Sequence, residues 1–98
     1  MSITLCVRLW ELPGRTDQLI AYEDQVLPLI AEHGGTVLER ARRIDAGATS
    51  IDPLEVHLIR FPSEDTLDAY LADPRRAALA TRRDHAIART EMHRVDLV

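Results

Sequence analysis

The sequence predicts an α+β fold in which a four-stranded antiparallel sheet carries helices on one face. Two segments, Ile3–Trp10 and Leu54–Phe61, alternate between two kinds of side chain with the period of two that a pleated strand requires. Each is followed by a stretch with apolar residues at helical spacing. The chain has 98 residues, 46% of them hydrophobic, which predicts one domain over residues 1–98 with a thin core.

Composition narrows the classes of function. There are 12 basic and 16 acidic residues, for a net charge of −4, and this acidic balance argues against a nucleic-acid partner. Cys6 is the one cysteine, so an internal disulfide is impossible and a reducing cytoplasm is expected. The sequence shows neither a basic leader with a long apolar stretch nor a membrane segment, so we expect no membrane partner.

A helix is predicted between the first strand and the pair Gly34–Gly35. Thr16 or Asp17 is expected to cap its first turn. Pro28 removes one backbone hydrogen bond, which predicts a kink near Asp24 within one helix rather than two separate helices. The glycine pair is expected to end the helix in a left-handed conformation. The apolar stripe of this helix consists of Leu19, Ile20, Val26, Leu27 and Ile30.

The second half repeats the plan of strand, helix and strand. An edge strand is predicted over Thr36–Arg43, and a loop over Asp45–Pro53, which is able to fold over a pocket, connects it to the strand Leu54–Phe61. Helices then begin after Ser63 and at Pro74, and a last strand covers Thr90–Val98. This order is that of the ferredoxin-like βαββαβ arrangement, with the first and third strands paired at the centre.

Two faces of the sheet follow from the alternation. The face predicted to lie under the helices holds Ile3, Leu5, Val7, Leu9, Leu54, Val56 and Leu58. The opposite face holds Thr4, Cys6, Arg8, Trp10, Glu55, His57, Ile59 and Phe61. Helices cover only one face, so we expect a second copy to cover the other and form a homodimeric α/β barrel with a cavity between sheet and partner.

Several short motifs resemble one known family. His33-Gly34-Gly35 after an amphipathic helix, Phe61-Pro62-Ser63, Asp73-Pro74 and the downstream Arg83 resemble the uncharacterised family called domain of unknown function thirteen-thirty, over nearly the whole chain. Arg76 stands where that family usually has a tyrosine. Arg83 matches the usual arginine, and the resemblance implies that it anchors a helix to the sheet or to a ligand.

The resemblance also implies membership of the dimeric α/β-barrel group. That group includes cofactor-free antibiotic-biosynthesis monooxygenases, muconolactone isomerases and ligand-sensing domains, so it implies fold and dimer more directly than activity. The Asn, Trp and His constellation of its haem-degrading relatives is absent from this sequence. We therefore expect no cofactor.

His57 and Arg8 are the candidate catalytic residues. On one face of paired strands, the imidazole of His57 is able to act as a general base near neutral pH. The guanidinium of Arg8 would then hold a carboxylate or enolate by charge-assisted hydrogen bonds. The alternative is structural: His57 pairs with Glu55, and Arg8 with a carboxylate across the dimer.

The remaining candidates are ligand-binding residues. Trp10 and Phe61 are able to stack on an aromatic ligand or to pack in the dimer interface. Cys6 is interpreted as a small buried apolar residue that lines the cavity, as do Glu55 and Ile59. Histidine, cysteine and carboxylate side chains show no zinc-ligand spacing, so no metal site is predicted. The arginines of the edge strand and the last helical region are interpreted as solvated charges.

Three functions remain open from the sequence. The first is binding of a small, partly aromatic metabolite. The second is a cofactor-independent monooxygenase or isomerase that acts on an enolisable ring, with His57 as proton acceptor and Arg8 as anion stabiliser. The third is a structural dimerisation module with a packed interior.

Overall fold

A four-stranded antiparallel sheet forms the centre of the fold and carries the helices on one face. The computed structural model describes residues 1–45 and 51–98. Its strands are β1 (Ile3–Glu11), β2 (Thr36–Arg42), β3 (Glu55–Phe61) and β4 (Ile87–Arg94). Its helices are α1 (Thr16–Val26), α2 (Pro28–Glu32), α3 (Glu64–Leu71), α4 (Pro74–Ala77) and α5 (Ala80–Asp84).

The strand order is β2-β3-β1-β4, and each neighbouring pair is antiparallel. The first and third strands therefore occupy the centre, which confirms the predicted ferredoxin-like arrangement. The charged strand β2 lies at one edge, as predicted for a segment with few apolar residues. Of the predicted loop, residues 46–50 lie outside the described residues.

The helical region before β2 differs in detail from its prediction. Two elements, α1 and α2, replace the single kinked helix because Pro28 has no N–H to donate to the carbonyl of Asp24. Leu27 between them keeps helical dihedral angles, and its N–H still donates to Glu23. The predicted cap at Thr16 or Asp17 is also wrong. Arg15 is the residue that precedes the first turn, and its side chain makes no capping hydrogen bond.

The glycine pair after α2 performs two different tasks. Gly34 has φ +78°, a conformation in which a side chain would be strained, and it ends the helix as predicted. At Gly35 the constraint is space, because an added Cβ would lie 2.6 Å from the side chain of Ile30 and 3.0 Å from the ring of Phe61. The turn therefore brings α2 directly against the sheet.

Side-chain caps define the starts of α3 and α4. Ser63 accepts from the N–H of Thr66, and the hydroxyl of Thr66 accepts from the N–H of Ser63, which together form a capping box. Asp73 accepts from the N–H of Arg75 at the start of α4 and also pairs with His33 at 2.7 Å. This last contact joins the end of α2 to the start of α4.

The last strand begins earlier than predicted. β4 starts at Ile87 and ends at Arg94, whereas the sequence placed it over Thr90–Val98. The one helix predicted from Pro74 is divided into α4 and α5, which ends at Asp84. Ile87, the first residue of β4, is buried against the core.

The core lies between the helices and the sheet. Its buried members include Leu19 and Ile30 of the helical layer, which are fully buried, and Leu5, Leu9 and Phe61 of the sheet. The opposite sheet face is covered by no helix in the described chain. None of the described helices is long and apolar enough to cross a membrane.

Candidate functional site

The register between β1 and β3 decides which side chains face the helices. Val7 pairs with His57, and Leu9 pairs with Glu55. Residues that pair directly across antiparallel strands share a face. The face of β3 that holds Glu55, His57, Ile59 and Phe61 therefore lies under the helices.

This result corrects the predicted faces of β3. The sequence placed Glu55, His57, Ile59 and Phe61 on the uncovered face, together with Cys6, Arg8 and Trp10. It placed Val56 and Leu58 under the helices, but these residues pair with Arg8 and Cys6 on the uncovered face. The prediction for β1 is confirmed, since Leu5 and Leu9 are buried in the core. The buried face of β3 holds two apolar and two ionisable residues. The other face of the strand is more uniformly apolar, so apolar content alone predicts the wrong face to be buried.

Glu55 is the charged group at the centre of the hydrogen-bond network on this buried face. Its side chain is 0% exposed and accepts hydrogen bonds from three neighbours. Arg40 of β2 donates to both carboxylate oxygens, at 2.8 Å and 3.0 Å, and Arg42 donates at 2.8 Å. The ring of His57 contacts the same carboxylate at 2.8 Å. Arg40 also reaches Asp24 at 2.7 Å, so the network extends to α1.

The network keeps the Glu55 carboxylate ionised. Burial by itself raises the pKa of Glu55, but the hydrogen bonds from His57, Arg40 and Arg42 outweigh it and lower the pKa to about 2. An ionised carboxylate only accepts hydrogen bonds, so the Nε2 atom of His57 carries a proton and donates it. In the neutral ring, Nδ1 then holds the lone pair that is able to accept a proton.

Glu23 of α1 is a second buried carboxyl group, in a contrasting environment. Glu23 is 5% exposed. Within the described parts of the chain, its side chain makes no hydrogen bond and no ion pair. Burial raises the pKa of Glu23 to about 7, with the charge of Glu55 acting in the same direction and those of His57 and Arg40 opposing it. Glu23 therefore changes its charge near neutral pH.

A cavity of about 90 Å³ lies between the sheet and the helices. That volume is enough for a few waters or for a molecule of a few heavy atoms, at about 30 Å³ per water. Both His57 and Glu23 line it, so the two ionisable groups face the same space. The other lining residues are Leu5, Val7, Leu9, Tyr22, Val26, Leu27, Ile59, Phe61, Leu67, Tyr70, Leu71, Arg76, Arg83, Thr90 and Met92.

Three of the predicted ligand-binding residues lie in this wall. Ile59 and Phe61 form part of its apolar surface, and Phe61 packs against Tyr70 with ring centroids 5.4 Å apart. Arg83 donates to the hydroxyl of Thr90 at 2.9 Å, which joins α5 to β4. Its predicted helix-to-sheet contact is therefore present, and the same side chain lines the cavity.

Arg8, Trp10 and Cys6 lie on the uncovered face, away from this cavity. Arg8 pairs with Glu91 of β4, which matches the structural alternative within one chain rather than across a dimer. The ring of Trp10 has the guanidiniums of Arg8 and Arg89 at 5.6 Å and 4.8 Å from its centroid. Cys6 is half-buried. His57 and Arg8 therefore face opposite sides of the sheet and do not meet around one ligand.

Sequence reasoning missed five polar residues of the cavity wall: Tyr22, Glu23, Tyr70, Arg76 and Thr90. A signal for Glu23 was available, because it lies four residues from both Leu19 and Leu27 and so falls within the apolar stripe of the helix. The alternating arginines of β2 also carried a signal. They were interpreted as solvated charges, whereas Arg40 and Arg42 bind the buried Glu55.

Comparison with known proteins identifies the family. The family model described as domain of unknown function (DUF1330) matches residues 14–96. The chain belongs to the DUF1330 family. A search of curated proteins gave no match to this DUF1330 chain. Within the described parts of the chain, no three side chains of His, Cys, Asp or Glu are grouped so that they would hold a metal ion.

Solved structures resemble the DUF1330 chain in fold. A dimeric protein of unknown function with a ferredoxin-like fold from Bacteroides fragilis has 10% identity and a TM-score of 0.71, with 98% of this chain and 96% of that chain covered. A dabb family protein from Mesorhizobium loti has 14% identity and a TM-score of 0.67, with 99% and 97% covered. SnoaB, a cofactor-independent oxygenase from Streptomyces nogalater, has 13% identity and a TM-score of 0.70, with 99% and 95% covered.

Replacement of Glu55 tests the charge network. The folded-state pKa of about 2 lies below the ordinary 4.5, so the stability from ionised Glu55 is present above pH 4.5 and is lost as the pH falls toward 2. We expect Glu55→Gln to lower the free energy of unfolding at neutral pH by about 3 to 5 kcal/mol, because Arg40 and Arg42 lose their shared partner. The variant should also lose less stability than the wild type between pH 5 and pH 3. Urea unfolding at several pH values measures both effects.

The control is Asp68→Asn on the exposed side of α3. It should change the free energy of unfolding by at most about 0.5 kcal/mol and keep the acid sensitivity of the wild type. Equal acid sensitivity of Glu55→Gln and the wild type would contradict the assignment.

Proposed function

We propose that the chain binds a small molecule with an apolar or aromatic body in the cavity between its own sheet and helices. The observation that carries this proposal is the composition of the wall. Leucine, valine, isoleucine and phenylalanine side chains supply most of it, and its buried polar groups include the imidazole of His57 and the carboxyl group of Glu23. Apolar walls with a few placed polar groups are typical of ligand sites. The site lies within one chain, whereas the sequence placed it between the sheet and a partner.

A second candidate function is proton transfer on an enolisable ligand, and the two buried carboxyl groups favour it. Their environments separate their pKa values, with Glu55 at about 2 and Glu23 at about 7. Such a separation is common where one group stays ionised and the other exchanges protons. The ionised Glu55 orients the ring of His57 through the 2.8 Å hydrogen bond between them, in the manner of a carboxylate and imidazole pair.

The proposed step is a proton abstraction. His57 takes a proton from the carbon next to a ligand carbonyl, and the electron pair of that C–H bond forms an enolate on the carbonyl oxygen. Return of the proton to another carbon completes an isomerisation. Glu23 in its protonated form supplies a hydrogen bond or a proton to the oxygen. This first step is common to cofactor-independent isomerases and oxygenases, and His57 carries it in our proposal without Arg8.

Cyclopentanone tests both candidates in one sample, because it is small, apolar and enolisable. In D₂O, we expect it to shift the backbone NMR signals of β3 at the cavity and to exchange its α-hydrogens faster than without protein. Val7→Phe should abolish both effects by filling the cavity. His57→Ala should keep binding but lose the acceleration by roughly a hundredfold or more.

The matched control is Val56→Phe, which makes the same change on the other face of the sheet. It should leave binding and exchange unchanged. Absence of any shift at the cavity in the wild type would refute binding. Binding without accelerated exchange would refute the second candidate and leave the first in place.

We also propose that a second copy of the chain covers the open sheet face. This face carries apolar side chains that are half-buried in one chain, namely Cys6, Val56 and Leu58. Burial of such a patch against itself is the usual basis of a two-fold dimer. The dimeric description of the Bacteroides fragilis structure supports the same assembly for a related fold.

Leu58→Glu tests the dimer, because it places a charge at the centre of the proposed interface. Light scattering at low micromolar concentration should give twice the 11.1 kDa of one chain for the wild type and the single-chain mass for the variant. Leu97→Glu adds the same charge at an exposed position beyond β4 and should remain dimeric. A single-chain mass for the wild type would disprove the assembly.

A further inference from the structure

Two arginines in the cavity wall lack the carboxylate partners that most other arginines of the chain have. Ion pairs to carboxylates engage Arg8, Arg40, Arg42, Arg43, Arg75, Arg89 and Arg94. Within the described residues, Arg76 of α4 and Arg83 of α5 form no such pair, yet both line the cavity. Both arginines are half-buried, so each places a partly desolvated positive charge at the wall where an anion is able to reach it.

Arg76 shows a specific unsatisfied group. Its Nε atom is buried and has no hydrogen-bond partner, which is the one such side-chain atom among the described residues. The guanidinium lies 5.4 Å from the centroid of the Tyr70 ring, so an aromatic face holds it at the wall. Its Nη1 atom reaches the carbonyl of Leu71 only at 3.5 Å. A buried N–H without an acceptor is destabilising, and an acceptor atom of a ligand would satisfy it.

Arg83 is held in place by a hydrogen bond that uses only part of its N–H donors. One of its five N–H donors is used by the 2.9 Å hydrogen bond to Thr90. Tyr22 lines the same cavity as the two arginines. Burial raises the pKa of Tyr22, and the positive charges of Arg76 and Arg83 oppose that rise. Glu23 also lines the cavity, and the charge of Arg76 acts against the raised pKa of Glu23, which burial causes. Within the described chain, no hydrogen bond joins Glu23 to either arginine.

We propose that the ligand of this cavity is a small carboxylate, whose anionic head binds Arg76 and Arg83 while its apolar body contacts the wall near Val7 and Phe61. The planar, forked donors of arginine match a carboxylate in shape and charge. The inference rests on the proposed function because it places the carboxylate in the same cavity. It adds the chemical class of the ligand and two residues that recognise it.

Isobutyrate and its neutral isostere isobutyramide test the class of ligand. At about pH 6, isobutyrate is ionised and Glu23 is mostly protonated, so repulsion between them is small. By NMR titration of the wild type, we expect isobutyrate to bind at least roughly tenfold more tightly than isobutyramide. Arg83→Gln and Arg76→Gln should each reduce isobutyrate binding to the level of isobutyramide and leave the amide unaffected.

The matched control is Arg82→Gln, next to Arg83 on α5, where the side chain donates to Gln25 instead. It should leave isobutyrate binding unchanged. Arg76→Lys keeps the charge but lacks the Nε donor, so it should fall between the wild type and Arg76→Gln. Circular dichroism verifies that each variant is folded, and the comparison of the two ligands in the wild type needs no variant.

The outcomes separate this inference from the function on which it rests. Equal affinity for isobutyrate and isobutyramide would overturn the inference and leave a cavity that binds neutral molecules. Equal weakening by Arg82→Gln and Arg83→Gln would also overturn it, since a general charge effect would then explain the preference. If neither molecule, nor cyclopentanone, shifts the signals of the cavity, the proposed function fails and the inference fails with it.

Discussion

An ionised carboxylate buried beneath helices is the constraint on which the rest of this structure depends. Glu55 is 0% exposed on the face of the sheet that packs against the helical layer. A charge there is tolerable only if every lone pair is used, and Arg40, Arg42 and His57 use them. The edge strand β2 is therefore held to β3 by side chains as well as by its backbone ladder.

The same side of the sheet holds the proposed site. Because Glu55 holds His57 on its own face, the imidazole faces the interior rather than the open side of the sheet. The interior already contains Glu23, whose charge is disfavoured by burial and by the nearby Glu55. Burial is the main cause of the raised pKa of Glu23, and the charge of Glu55, which also holds the ring of His57, adds to it. This pattern supports the proton transfer that we propose.

The sequence predicted the architecture well but assigned one strand to the wrong face. Alternation, glycines and caps depend on local physics, so the central pairing of β1 with β3, the end of α2 at Gly34 and the capping of α3 by Ser63 were all predictable. The face of β3 was not, because a one-residue shift exchanges its two sides. That choice depends on Arg40 and Arg42, which come from another strand and neutralise Glu55.

The candidate site was predictable only in part for the same reason. His57, Ile59, Phe61 and Arg83 were selected from the sequence and do line one cavity. The predicted faces grouped the β3 residues with Arg8 and Trp10 on the open side. Arg8 and Trp10 do lie there, whereas His57, Ile59 and Phe61 lie under the helices. The two sides of the sheet then have separate proposed tasks, ligand binding under the helices and assembly on the open face.

Carboxyl NMR tests the central claim most directly. In protein labelled with ¹³C at the glutamate side-chain carboxyl carbon, and with signals assigned by Glu→Gln variants, the titration of each group is followed on its own. The account predicts that Glu55 stays ionised until the pH approaches about 2 and that Glu23 titrates near 7. Titration of Glu55 at the ordinary value near 4.5 would contradict a buried, fully paired carboxylate at the centre of the fold.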